Sequence, residues 1–88
     1  MSIDVQGRDR TLSDRAAEEI RALMGRKRIS GAELARRLDV SPMWVSYRLA
    51  GKQEIGLTDL ERIASALGVT PVDLLPVAVR RAGQPTHQ

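Results

Sequence analysis

The sequence predicts an all-α domain, and three observations carry the prediction. Between Ser30 and Gly51, in SGAELARRLDVSPMWVSYRLAG, two short helix patterns follow one another with too few residues between them for a loop. Leu60, Ile63, Ala64 and Leu67 stand at the i, i+3, i+4, i+7 spacing of a helix that buries one face. Ala16, Ile20 and Leu23, flanked by Ala17 and Met24, make a second apolar stripe of the same kind. A chain of 88 residues is one small domain with a core of marginal stability.

Residues 1–10 are polar, mixed in charge and without periodicity, the pattern of a disordered N-terminal arm. The first helix is expected to start near Thr11 or Ser13, to weaken at Gly25 and to end by about Lys27, with Ile29 as an apolar link. Ser30 reads as the N-cap of the next helix. Glu33, three residues on, would complete a reciprocal capping box. Leu34, Ala35 and Leu38 share a face, the pattern stops at Asp39 and Val40, and Ser41-Pro42 signals a new start with proline at the first helical position. That third helix should run to about Ala50, with Gly51 as its C-cap. Helices joined so tightly must cross steeply with Val40 in the elbow, which is a helix-turn-helix.

Thr58 and Glu61 read as the capping box of a fourth helix, closed by Gly68. Thr70 is expected to cap a fifth, with Pro71 first, Asp73 in the first turn and a break near Leu75 imposed by Pro76. The tail from 77 to 88, VAVRRAGQPTHQ, stays ambiguous. Val77-Ala78-Val79 suits a strand or a helical continuation, either able to pair with a second chain, and the end is expected to be flexible.

At about 100° per residue, Val45 and Leu49 lie on one side of the third helix with Pro42 beside them. Met43, Tyr47 and Ala50 point the other way, flanked by Ser46 and Trp44. A solvated helix face ordinarily carries Glu, Lys and Gln, so a Met-Tyr-Trp surface reads as a contact surface. The alternative is that Trp44 and Tyr47 lie flat at the edge of the core.

From Leu12 to Leu75, about three quarters of the chain, the sequence resembles the phage repressor and Cro class of helix-turn-helix proteins. The resemblance rests on ELARRLDVS, VS-x-x-LAGK and LERIASALGV-x-P-x-x-LL in that order and spacing. It implies a compact five-helix, repressor-like domain whose third helix enters the DNA major groove, with Lys52 where relatives often meet a phosphate. The chain departs from the pattern at three places. Asp39 replaces the turn glycine. Gly31 stands where a phosphate-binding Gln is common, leaving only backbone N–H groups to hold an anion. Met24 and Leu49 occupy the positions of an Arg–Glu pair, an ion pair exchanged for an apolar contact.

Charge agrees with a polyanionic partner. The net charge is +3, yet the span from Arg26 to Lys52 holds seven cations against Glu33 and Asp39, a local balance of +5 that leaves the remainder at −2. Phosphate neutralisation by such a patch supplies most non-specific DNA affinity. Arg8 and Arg10 of the arm could follow DNA as well.

Other classes are excluded on composition. There is no cysteine for disulfides or thiolate metal sites, and His87 has no neighbouring ligand, so no metal or cofactor is expected. No Gly-rich phosphate loop, Ser-His-Asp set or paired-carboxylate spacing supports an enzyme or a small-molecule substrate. No apolar run spans a bilayer and MSIDVQGRDR is not a signal peptide, which suits the cytoplasm of a bacterial host cell.

The sequence therefore points to a transcriptional regulator of double-stranded DNA. Its shortness favours a Cro-like repressor that binds a palindromic operator as a homodimer, with Leu74, Leu75, Val77 and Val79 as the apolar residues left for the interface. Base contacts fall to Met43, Trp44, Ser46 and Tyr47. Phosphate contacts fall to Arg26, Lys27, Arg28, Ser30, Gly31, Ser41, Arg48 and Lys52. Two alternatives remain open at this point: an antitoxin-type autorepressor with a protein partner, and a protein-interaction module that docks through Met43, Trp44 and Tyr47 without binding DNA.

Overall fold

The computed structural model describes residues 10–76. Expectations for the arm before Arg10 and for the tail from 77 to 88 lie outside these residues. Four α-helices follow in order: α1 (Leu12–Lys27), α2 (Gly31–Leu38), α3 (Pro42–Leu49) and α4 (Leu57–Leu67), then a single 3-10 turn over Pro71–Leu74. The expected fifth helix is thus only that turn. Pro76 forces Leu75 into an extended conformation (φ −94, ψ 154), so four residues are all that can coil.

The starts of the helices are set locally. Thr11 and Asp14 form the full reciprocal box at α1, with the Asp14 N–H donating to Thr11 Oγ1 at 3.0 Å and the Thr11 N–H to Asp14 Oδ2 at 3.2 Å. At α2 only half of the expected box exists. Ser30 Oγ accepts from the Glu33 N–H at 3.0 Å, while the Glu33 carboxylate turns away to Arg36 and, at 2.8 Å, to Arg37. Two guanidiniums one turn on hold it there more strongly than one amide behind it. The Thr58–Glu61 box does not form, because α4 begins earlier. Gly56 is the N-cap, and its N–H donates to Asp59 Oδ2 at 3.1 Å.

All four helices end the same way. A residue with positive φ lets two N–H groups turn back onto the last carbonyls, at Arg28 (φ 58), Asp39 (φ 59), Gly51 (φ 80) and Gly68 (φ 76). Gly51 has a second reason to be glycine, since a Cβ there would sit 3.2 Å from Asp14 Oδ1 on α1. Arg28 and Asp39 carry side chains in a region that L-residues enter at a cost of about 1–2 kcal/mol, somewhat less for Asp. Asp39 also places a negative charge at the C-terminal end of α2, where the helix dipole disfavours it. Asp39→Gly should therefore stabilise the domain by about 1 kcal/mol after the added chain entropy of glycine is subtracted. A thermal midpoint raised by roughly 4–8 °C is the expected result. An unchanged or lower midpoint would mean that the Asp39 side chain makes a compensating interaction.

The predicted stripes meet in one core. Ala16, Ile20 and Met24 of α1, Leu34, Ala35 and Leu38 of α2, Val45 of α3, and Leu60, Ile63, Ala64 and Leu67 of α4 are buried together, with Val40 packed into the elbow. Leu74 is completely buried in the same cluster. Its assignment to a subunit interface is therefore corrected: the 3-10 turn lies against α4 and α1, and Leu74 is the residue it contributes to the core. No helix among the described residues is long and apolar enough to cross a membrane.

Candidate nucleic-acid interface

The third helix owes its position to Val45, which is 2% exposed, and to Leu49, packed at the margin of the core. With that side anchored, the 100° spacing turns Met43, Ser46 and Tyr47 outward, and all three are exposed. Met43 and Tyr47 keep 60% and 44% of their surface in solvent. Ser41 Oγ caps the helix by accepting from the Trp44 N–H at 3.1 Å, which leaves its hydroxyl proton free to donate. Ser30 stands in the same relation to α2, and the N–H groups of Gly31 and Ala32 in that first turn have no partner within the helix. Gly31 is not required by space, since a Cβ there would make only a 3.9 Å contact with Val45.

Trp44 and Arg48 occupy a different place from the other candidates on α3. Trp44 is half-buried and packs against the core. The Arg48 guanidinium lies over its ring, 3.9 Å from the centroid, and bonds Asp59 Oδ2 at 3.3 Å. Both partners of that ion pair are mostly buried, with side-chain exposures of 17% and 23%. Arg48 is thus held toward α4.

The cations divide accordingly. Arg36 and Arg37 bond Glu33, and Arg37 also donates to the Ala66 carbonyl at 2.9 Å, tying α2 to α4. Arg26, Lys27, Arg28 and Lys52 are exposed, and none of them forms an ion pair with another described residue. The local excess of +5 read from the sequence therefore has its unpaired part at the end of α1 and just after α3. Arg10, the first described residue, bonds Glu18 at 2.7 Å, and that hydrogen bond holds the Glu18 carboxyl below its ordinary range.

Three positioning contacts were not foreseen. Arg21 of α1 donates to the Leu49 carbonyl at the end of α3, a cation placed where the helix dipole favours it. Arg62 of α4 donates to the Leu38 carbonyl at 2.7 Å. Asp59 joins the cap of α4 to Arg48. The Arg21 and Arg62 contacts link residues 28 and 24 positions apart, so no local pattern marks them. Asp59 did leave a trace, an acid three residues after a possible cap. Of Met24 and Leu49, read as a substitute for an ion pair, Met24 belongs to the core cluster and Leu49 is half-buried against it.

The geometry is that of a helix-turn-helix with an uncovered third helix, and the helix-turn-helix domain family matches the chain over residues 15–76. The chain belongs to this family. The fold is similar to that of a hypothetical transcription factor, NHTF, from Neisseria, at 31% identity and a TM-score of 0.72, covering 84% of this chain and 86% of that one. It is also similar to the clp gene regulator ClgR from C. glutamicum, at 25% identity and a TM-score of 0.71, covering 90% of this chain and 99% of that one. No curated protein matches the sequence. Family and neighbours support a DNA-binding transcriptional regulator. Among the described residues, no group of three His, Cys, Asp or Glu side chains is placed to hold a metal ion.

Proposed function

We propose that this helix-turn-helix protein is a sequence-specific regulator of double-stranded DNA, a Cro-like repressor that occupies a palindromic operator as a homodimer. The observation that carries the proposal is the division of labour around α3. An outward face of Met43, Ser46 and Tyr47 lies within one fold with exposed cations at Arg26, Lys27, Arg28 and Lys52 that form no ion pair among the described residues.

In this reading α3 enters the major groove, where the Met43 side chain and the Tyr47 ring press on thymine methyls. The Ser46 and Tyr47 hydroxyls exchange hydrogen bonds with base edges. Lys52 and the Arg26–Arg28 cluster meet phosphates and set register without selecting sequence, helped by the hydroxyls of Ser30 and Ser41 and the Gly31 N–H at helix starts. Trp44 supports the helix from its flank, and Arg48 holds Trp44 in place. Repression follows if the bound site overlaps one that RNA polymerase needs.

Selection of bound sites from random duplex DNA tests the whole proposal. The expected yield is a near-palindrome with half-sites about one helical turn apart. Enrichment of a single asymmetric element bound by one chain would remove the dimer from the proposal. No enrichment over the starting pool would remove sequence-specific binding.

A further inference from the structure

We infer that Arg21, on α1, sets the base discrimination of α3 from outside the reading face, by tethering the end of that helix through the Leu49 carbonyl. It is a positioning residue that acts through Tyr47, and the inference rests on the major-groove reading proposed above.

α3 is a short helix with little to hold it. Of its eight residues only Val45 is fully buried. Its first end is tied to α2 by the three-residue turn 39–41 and capped by Ser41. Its other end faces α1 across a groove of about 460 Å³, with Ala17 and Arg21 on one side and Leu49, Ala50 and Gly51 on the other. Packing alone leaves that end room to move. Among the described residues, the side chain that bonds across the groove to α3 is that of Arg21, whose Nη1 donates to the Leu49 carbonyl.

The hydrogen bonds at the end of α3 single out that carbonyl. A helix leaves its last carbonyls without partners inside the helix. In α3 the Ser46 carbonyl accepts from the Ala50 N–H at 3.0 Å, Tyr47 from Lys52 at 2.9 Å and from Gln53 at 3.3 Å, and Arg48 from Gly51 at 3.2 Å. The Leu49 carbonyl takes no backbone donor among the described residues, and the Arg21 guanidinium supplies its bond. Tyr47 stands two residues before Leu49 and its carbonyl holds the Lys52 N–H, so one tether fixes both the reading side chain and the backbone of the proposed phosphate contact. Releasing it pivots α3 about Val45 while the turn still holds the first end. Met43 then keeps its place and Tyr47 moves. Recognition needs side chains held to within about half an ångström, so the loss falls on discrimination at the base pairs that Tyr47 meets. Arg21 is itself exposed and forms no ion pair among the described residues, so a direct bond to a phosphate is the competing role. Salt dependence tells the two apart.

The test compares Arg21→Met, which keeps the stem and loses the donors, with Arg21→Lys, which keeps a donor and the charge. Amide hydrogen exchange of the full chains without DNA reads the tether. In Arg21→Met the amides of Ala50, Gly51, Lys52 and Gln53 should exchange about tenfold faster while those of Ile20 and Ile63 in the core stay as they are, and Arg21→Lys should restore most of the protection. Titrations on the site selected from random duplexes and on a scrambled duplex read the discrimination. Arg21→Met should weaken the preferred duplex roughly tenfold, leave the scrambled duplex and the salt slope unchanged, and flatten the same base positions as Tyr47→Ala. Combined with Tyr47→Ala it should lower discrimination no further than Tyr47→Ala alone, because nothing is then left to position.

Unchanged exchange at 50–53 overturns the inference, and so does faster exchange with discrimination intact. Losses that add in the double variant overturn it as well. Exchange that rises equally in the core makes Arg21 a stabilising residue of the whole domain, against the inference. A salt slope reduced by about one, with both duplexes weakened alike, makes Arg21 a phosphate contact instead. If the wild-type chain selects no sequence, the regulator proposal fails and the inference with it, while the exchange result still shows separately whether Arg21 tethers α3.

Discussion

Replacing Tyr47 by alanine should weaken binding to the preferred duplex by roughly 1–3 kcal/mol and leave binding to a scrambled duplex nearly unchanged. The side chain is 44% exposed on the outward face of α3, so its loss removes little packing from the core. What it removes is an aromatic surface and a hydroxyl that differ in value from one base pair to another. The preference should flatten at one or two positions of the selected site. Lys52→Ala should behave in the opposite manner, weakening both duplexes alike and reducing the slope of log affinity against log salt by about one. Titrations of both variants on both duplexes, each at several salt concentrations, separate the two roles. Equal weakening on both duplexes by Tyr47→Ala, with the preferred sequence intact, would make Tyr47 a backbone or packing contact.

Asp59→Ala should be the most damaging single change to a polar side chain, at about 2–3 kcal/mol of stability. One carboxylate oxygen accepts from the Gly56 N–H at 3.1 Å and from Arg48 Nε at 3.3 Å, so a single truncation removes the cap of α4 and strands a mostly buried guanidinium. Arg48 then loses what holds it over Trp44. The thermal midpoint should fall by roughly 10–20 °C. Asp59→Asn retains an acceptor for the cap but not the charge, and should recover part of the loss. Arg48→Met keeps the cap entirely, so its cost isolates the ion pair. The same variant decides whether Arg48 also touches DNA: a salt slope reduced by about one would place it on a phosphate, and an unchanged slope would confine it to the protein. A midpoint for Asp59→Ala within about 2 °C of the wild type would show that water replaces the carboxylate at both partners, against the cost expected for the lost bonds.

The local elements were readable because their determinants lie within one or two turns of the residues they govern. The periodic stripes located all four helices, Ser41-Pro42 marked the start of α3, and Gly51 and Gly68 marked two of the ends. The errors came where two local rules competed. Glu33 could serve either the Ser30 cap or the guanidiniums of Arg36 and Arg37, and it takes the second. Thr58 and Glu61 had the spacing of a cap, but Gly56 and Asp59 had it too, two residues earlier, and they start the helix. Proline at 71 and 76 left room for one 3-10 turn where a fifth helix was expected.

What the sequence by itself determined is the four α-helices, the composition of their buried faces and the tight turn between α2 and α3, since each depends on backbone preference and hydrophobic spacing over a few residues. Two hydrogen bonds and the Val40 contact hold Asp39 in the left-handed conformation at that turn. Only the tertiary structure decided which cations remain unpaired and which apolar residues stay in solvent. Arg48 looks as available as Lys52 along the chain, yet α4 brings Asp59 to it across 11 positions and withdraws it toward the core. Leu74 and Leu57 look equally apolar, yet one is enclosed by α1 and α4 while the other projects from the first position of α4 into solvent. Ion pairing and burial depend on distances between elements, and those distances exist only after the helices have packed.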